Sequence, residues 1–441
     1  MADVVLVIDA GTSSVKAGLL DRNGAVLARS TRRYSYSMPA PHTVELDFEI
    51  LWTQAEAATR DLTSAGHAIR AVGLSVLCPG LVPLSETGTP LRPAIIHMDR
   101  RSVVCARAAL RTIGRDRFLN VAANLPFPGG ISLTSALWVK SKEPEIYRQA
   151  RCFGHTNTFL ARRLTGAWGM DPTNASFTGF YNTLQASGWN VELIKELGFD
   201  ADRLPPIVDS SAVIGLVLPD AAERTGLPVG VPVVMGAADT ACAALGAGVT
   251  TEGDILNSTG TVEVMVLATA HPVSSERYLI RTHAIPGMWL IMNILSAGGE
   301  AIEWVRRTFY QEMDTEEFFS VHLPRVMAAR DGMVRMSPYL SGDRTSFTQR
   351  FASYRRIGLQ TTRDDFLQAT CRATVEEMRK RFRYYEAGWQ PSGRIRTTGG
   401  GSKALMDLKM RSFPGFLWEE VPDATLRGAA RLAWMGLDAG I

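Results

Sequence analysis

Val4-Val5-Leu6-Val7-Ile8-Asp9-Ala10-Gly11-Thr12-Ser13-Ser14 runs from five apolar residues straight into a carboxylate, a glycine and three small hydroxyl residues. Five apolar side chains without alternation read as a strand covered on both faces. Gly11 can adopt backbone conformations that a Cβ resists, and its missing side chain lets a ligand approach closely. Thr12, Ser13 and Ser14 add hydroxyl donors beside exposed N–H groups, the composition of a turn that cradles phosphate. About half a chain later Ser258-Thr259-Gly260-Thr261 breaks another run of hydrophobic and β-branched residues. Two such turns point to one phosphate chain held between two lobes.

Working outward, residues 15–20 and 26–30 read as further strands around the hairpin signal Asp21-Arg22-Asn23-Gly24. Residues 51–65 have the pattern of an amphipathic helix and 69–74 that of a strand, the alternation of an α/β architecture. Residues 100–200 are more helical, with candidates at 135–141, 144–150 and 158–164. Pro205-Pro206 and the 226–232 stretch lead to a strand at 233–235 and then Gly236-Ala237-Ala238-Asp239. The domain boundary is placed near 235, giving lobes 1–235 and 236–441. In the second half 254–257 enters the Gly-Thr turn and 262–267 leaves it. Residues 366–385 read as a long helix, and Ile395-Arg396-Thr397-Thr398-Gly399-Gly400-Gly401 as a strand turning abruptly into a helix that begins near Ser402.

At 441 residues the chain exceeds the usual single-domain size, so two cores are expected. Its 46% hydrophobic and 21% charged residues are the balance of a folded globular enzyme and exclude a disordered or fibrous chain. No stretch approaches the roughly 18 apolar residues of a membrane span, and Asp3 interrupts the amino terminus before a signal-like pattern develops, so a cytoplasmic protein is expected. The net charge of +3 is small and the basic residues are dispersed, which does not describe a nucleic-acid track. The densest cluster, Arg379-Lys380-Arg381-Phe382-Arg383, reads as a solvated helix face first, with a phosphate or polyanion patch as the alternative. Cys78, Cys105, Cys152, Cys242 and Cys371 are widely spaced, never form a metal-binding pair, and read mostly as small buried hydrophobes.

Asp9 at a strand end could simply accept hydrogen bonds from its own turn; beside a triphosphate it is better used to hold hydrated magnesium. Asp239 follows a strand among small residues, so a substrate hydroxyl can reach it. An ionised aspartate there can take that proton as the oxygen attacks a γ-phosphate; the lesser reading is a cap on a helix over 240–246, and different oxygens could serve both. No Gly-x-Gly-x-x-Gly pattern follows the first strand and no Walker phosphate loop is present, which argues against hydride transfer and the phosphate-loop class. Asp99-Arg100-Arg101 and Asp171-Pro172-Thr173-Asn174-Ala175-Ser176 combine carboxylate, amide and guanidinium groups that can select a polyhydroxylated substrate, or can serve the local fold. His97, His155 and His283 lack metal-ligand spacing and read as structural.

The ordered set Asp9-Ala10-Gly11-Thr12-Ser13-Ser14, Asp99-Arg100-Arg101, Gly236-Ala237-Ala238-Asp239, Gly260-Thr261 and Gly399-Gly400-Gly401-Ser402 resembles the FGGY carbohydrate kinase family, particularly its xylulokinase-like branch, over nearly the whole chain. The resemblance implies two actin-like, ribonuclease-H-like α/β lobes closing on magnesium-ATP and a sugar or polyol in an interlobe cleft. It implies ATP-dependent transfer to a hydroxyl of a pentulose such as xylulose, with Asp239 as base. Asp9 and Asp239 would attend Mg2+; Cys78, Asp99, Arg101, Asp171 and Asp239 would face the sugar. Gly11, Thr12, Ser13, Gly260, Thr261, Gly299, Gly399, Gly400, Gly401 and Ser402 would face the nucleotide. The expected partner is a small molecule, neither nucleic acid nor membrane, with a homodimer as the assembly to test. Three departures bear on the substrate: Ser75-Val76-Leu77-Cys78-Pro79-Gly80-Leu81 is the region where Gln-Met-His is usual, Val262 follows the Gly-Thr pair, and 371–377 lacks the usual Glu-Gly. The stretch 171–175 is also similar to that of autoinducer-2 kinases, so another polyol, that linear precursor, or a non-catalytic nucleotide or sugar sensor are the alternative readings.

Overall fold

The computed structural model describes residues 2–260, 262–296, 298–400 and 403–440. These divide into two compact units, 1–250 with 270–290 and 423–441, and 251–269 with 291–422.

The first unit carries strands β1 (Asp3–Ala10), β2 (Ser14–Leu20), β3 (Val26–Arg33), β4 (Ala68–Val76), β5 (Val213–Leu216) and β6 (Pro232–Ala238), in the spatial order β3-β2-β1-β4-β6-β5. β1 runs antiparallel to β2 and parallel to β4, which in turn runs parallel to β6. The unalternated run 4–8 is explained by cover on both faces: all five side chains are fully buried. Val4, Leu6 and Ile8 pack with Phe48, Leu51 and Trp52 of helix α1 (Phe48–Thr63) and with Phe159 and Leu160 of α2 (Thr156–Thr165). At roughly 1.5–3 kcal/mol per buried large apolar side chain, this strand is a main anchor of the unit. The short helix α3 (Pro172–Ala175) and then α4 (Asp239–Gly246) follow in the chain.

The register of β6 on β4 shifts between Val234 and Ala237. Gly236 makes that shift: it takes φ +69°, and a Cβ there would lie 1.7 Å from the Leu74 carbonyl oxygen. Beyond it Ala237 aligns with Ser75 and Ala238 with Val76, while on the other side Asp9 aligns with Ser75. The carboxyl ends of three parallel strands are therefore level, and Asp239 is the next residue after that row.

The second unit contains β7 (Ile255–Thr259), β8 (Glu263–Thr269), β9 (Trp289–Leu295), β10 (Arg394–Gly399) and β11 (Leu417–Glu420), with helices α5 (Gly299–Phe309), α6 (Arg363–Gly388) and α7 (Lys403–Ser412). Its sheet order β9-β8-β7-β10-β11, with β7 antiparallel to β8 and parallel to β10, repeats the order of the first unit's sheet from β3 to β6. A Thr362–Asp365 capping box starts α6, and the Tyr385 hydroxyl, 2.6 Å from the Met265 carbonyl oxygen, accepts the Asn293 N–H at 3.0 Å, fixing α6 to two strands.

α8 (Ala424–Asp438) returns to the first unit and covers β4 on the face away from α1. This return is why one cut at 235 does not describe the chain. α4 belongs with the sheet it leaves, and the last helix crosses it so closely that a Cβ on Gly428 would meet the Cys242 carbonyl oxygen at 1.8 Å. The basic run 379–383 also differs from a uniformly solvated face. Arg381 is buried, pairing with Glu377 at 2.9 Å and donating to the Ile294 carbonyl at 2.9 Å, whereas Lys380 points outward. All five cysteines are free, four of them buried. No described helix is long and apolar enough to cross a membrane.

Candidate active site

At the end of β1, Asp9 is buried and accepts the Ser75 hydroxyl at 2.8 Å with one oxygen. Burial raises its pKa, opposed by Lys16 and by the Ser75 bond. The turn that follows folds on itself: Gly11 N–H donates to the Ser14 carbonyl at 2.9 Å, the Tyr34 hydroxyl donates to Gly11, and Tyr34 N–H donates to Ser13 at 3.0 Å. Gly11 is not left-handed here; its value is space, since a Cβ would sit 3.3 Å from the Ser14 oxygen. The Thr12 and Ser13 hydroxyls make no hydrogen bond within the described chain, so they can serve a ligand.

Asp239 opens α4 and is half-exposed; its Oδ1 accepts Thr240 N–H at 2.6 Å and the Thr240 hydroxyl at 3.1 Å. It is the first residue inside the helix, the position before it being Ala238, so it is not the N-cap. Strand spacing puts the ends of β1 and β6, two strands apart, at about 10 Å. Cys242, one turn into α4, reports the same convergence: burial drives its thiol pKa well up, and Asp9, Asp171 and Asp239 all push it further in that direction.

Asp171 is fully buried and saturated by the protein. Its Oδ1 accepts the amides of Asn157 at 2.9 Å and Asn174 at 2.6 Å. Its Oδ2 accepts Thr173 N–H at 2.8 Å, the Thr173 hydroxyl at 2.5 Å and the Ser210 hydroxyl at 3.2 Å. Burial lifts its pKa to about 6 against the pull of those donors. The Thr173 oxygen in turn accepts the Ala238 N–H at 2.8 Å. Asp171 thus acts through Thr173 on the backbone that carries Asp239, and has little to spare for a sugar hydroxyl.

Asp99 and Arg101 are likewise turned inward. Asp99 accepts Val44 N–H at 2.7 Å and the Arg101 side chain at 2.8 Å; Arg101 also reaches Glu45 at 2.7 Å, and Arg92 shares that carboxylate. Both guanidiniums lie over Trp138. This arrangement fixes the 44–45 segment to the 92–101 segment. Cys78 is buried with its Sγ 3.5 Å from His155 Nδ1, and His155 Nε2 lies 2.8 Å from the Ser132 hydroxyl. Burial lowers the His155 pKa to about 4, so the ring is neutral at pH 7.

In the second unit three glycine turns meet. Thr259 ends β7 and its carbonyl accepts Gly400 N–H at 3.1 Å; Gly260 accepts Gly299 N–H at 2.8 Å, at the start of α5. Gly399 has φ +101°, and a Cβ there would fall 2.0 Å from the Thr259 oxygen. Among the described residues nothing lies within 4 Å of where a Cβ would stand on Gly260 or Gly400, which leaves space for a ligand beside their backbones. Thr261, Gly401 and Ser402 lie outside the described residues. A cavity of about 700 Å³ lined by Phe319, Pro324, Met327 and Ala404 adjoins the start of α7. Sequence reasoning missed Ser132, the contact role of His155, and a buried Lys409–Glu263 pair, all formed by residues far apart in the chain.

The family model for the N-terminal domain of the FGGY family of carbohydrate kinases matches residues 4–246. The xylulose kinase of Bacillus subtilis is 27% identical over 92% of this chain and 82% of its own length. The autoinducer-2 kinase of Yersinia enterocolitica is 29% identical over 70% of this chain and 60% of its own. The crystal structure of xylulose kinase from Rhodospirillum rubrum superposes with a TM-score of 0.83 at 25% identity, covering 99% of this chain and 90% of that one. The actin-like α/β fold expected from the sequence is the fold of these enzymes. With its amino-terminal sheet, its Asp9 turn and its Asp239 strand end all inside the matched region, the chain belongs to the FGGY family of carbohydrate kinases.

Proposed function

We propose that this kinase transfers the γ-phosphoryl group of ATP to a hydroxyl of a pentulose such as xylulose, with Asp239 taking the hydroxyl proton. The observation that carries the assignment is Asp239 itself: half-exposed, first residue of α4, two positions past the Ala237 that is level with Asp9 across Ser75. A carboxylate there accepts a proton as the alcohol oxygen attacks phosphorus. Asp9 is the residue to hold magnesium, whose charge would neutralise the phosphate oxygens; a buried carboxylate with raised pKa and one oxygen unpaired suits a cation. The open backbones of Gly260 and Gly400 are read as phosphate contacts, and the cavity bounded by Phe319, Pro324 and Met327 as the slot for the base. Support for a pentulose comes from the xylulose kinases to which the chain is similar.

The test is magnesium-ATP turnover against a panel of ketoses, polyols and the linear autoinducer-2 precursor, read as ADP formation with product mass. A phosphorylated pentulose as the preferred product is expected. Preference for the linear precursor would transfer the assignment to the chemistry named for the Yersinia relative.

A further inference from the structure

We propose that Lys409 is a positioning residue for the nucleotide, a single buried ammonium that clamps two glycine turns to each other. The proposal rests on reading Gly260 and Gly399–Gly400 as phosphate contacts. Lys409 lies on α7, the next described helix after Gly399–Gly400, and its side chain is almost wholly buried. Its Nζ donates to Asn257 Oδ1 at 2.8 Å and Thr259 Oγ1 at 2.6 Å, and pairs with Glu263 Oε1 at 2.5 Å.

Thr259 and Glu263 are direct cross-strand partners, the last pair before the hairpin tip that contains Gly260. The ammonium therefore bridges both legs of that tip. Thr259 is also the residue whose carbonyl accepts Gly400 N–H. One cation thus fixes the tip of the β7–β8 hairpin and, through α7, the turn at the end of β10. The Asn257 amide donates to the same Glu263 oxygen at 2.6 Å, while the other Glu263 oxygen is buried with no hydrogen-bond partner among the described residues. The charge of Glu263 rests on Lys409, and three acceptors fill the three N–H bonds of the ammonium. Lys409 holds the turns and does not itself reach for a phosphate. It lines, with Thr259, Thr398 and Gly399, a cavity of about 300 Å³ at their base.

Phosphate recognition by backbone N–H groups demands that the turns be held in place before the ligand arrives. Loss of the clamp should weaken nucleotide binding and leave the sugar alone. The experiment compares wild type, Lys409→Arg, Lys409→Gln and the charge-free double variant Lys409→Met with Glu263→Met. It measures the Kd of a non-hydrolysable ATP analogue by calorimetry, the KM for ATP and for sugar, and the melting temperature. Because Lys409→Gln leaves Glu263 buried without its cation, the double variant keeps the test open if that one does not fold. The expected result is a folded double variant whose nucleotide Kd and ATP KM rise about tenfold or more, as for a lost charge-assisted bond, with the sugar KM unchanged and partial recovery in Lys409→Arg. A folded variant with wild-type nucleotide affinity, or both KM values rising together, would overturn the clamp. Absence of saturable nucleotide binding in the wild type would overturn the phosphate reading itself, and the clamp with it.

Discussion

The carboxylate of Asp171 accepts five protein donors, and the Thr173 hydroxyl among them accepts the N–H of Ala238, the residue before Asp239. Replacing Thr173 with valine keeps the volume but strands that buried N–H, a cost of about 1–3 kcal/mol. The Thr173→Val variant should therefore lose stability of that order in urea denaturation and, with Asp239 as the proposed base, lose kcat more than either KM, because the backbone carrying Asp239 is no longer fixed. Equal losses in kcat and both KM values would make Thr173 a general fold residue instead. Of these residues the sequence displays Asp9, Asp171 and Asp239, since each follows an apolar run or opens a polar turn. It does not display the partners. Asn157 and Ser210 reach Asp171 from other segments, His155 reaches Cys78 from 77 residues away, and Lys409 reaches Asn257 from 152. Such contacts exist only once the strands have registered, so no local pattern announces them.

Among the elements, strands and turns were the most readable, because an unalternated apolar run and a glycine beside hydroxyl residues have a local physical cause. The ends of elements moved by a few residues: the run at 4–8 became Asp3–Ala10, and the helix read at 51–65 starts at Phe48, where Asp47 accepts the N–H groups of Glu49 and Ile50. Packing between elements was not readable, and the crossing of α4 and α8 shows why. Gly246 and Gly428 look like ordinary helix glycines, yet a Cβ on either would lie within 2 Å of a carbonyl oxygen of the facing helix, 1.9 Å from Ala424 and 1.8 Å from Cys242. The Gly428→Ala variant must push the helices apart, and overpacking of this kind costs roughly 1–3 kcal/mol or more. A lower melting temperature is expected, with weakened kcat because α4 carries Asp239 at its first position. A melting temperature equal to wild type would show that the helices can separate freely.

At the scale of the whole molecule, two buried histidines of the first unit link stability to pH. The His283 Nε2 lies 2.8 Å from the Val249 carbonyl oxygen and its Nδ1 accepts Ile285 N–H at 3.2 Å, an arrangement satisfied by the neutral ring. Burial lowers the pKa of both His155 and His283 to about 4, from an ordinary 6.5. Between those values the unfolded chain binds protons that the folded chain refuses, so stability present above pH 6.5 is lost as pH falls towards 4. At about 1.36 kcal/mol per pH unit each ring accounts for on the order of 3 kcal/mol. Asp171, raised to about 6 from 3.8, acts in the opposite sense and offsets part of this loss. Urea denaturation at pH 7 and pH 4.5 should show a smaller loss for His283→Gln than for wild type; an equal loss would remove His283 from the account. The two units repeat one strand order, and of the residues in the proposed reaction Asp9 and Asp239 belong to the first and the open glycine turns to the second. Sugar-dependent ADP release by wild type and Asp239→Asn, with nucleotide affinity measured on both, tests this division of roles most directly. The account predicts unchanged nucleotide binding with kcat lower by about 100-fold or more; wild-type turnover in Asp239→Asn would contradict it.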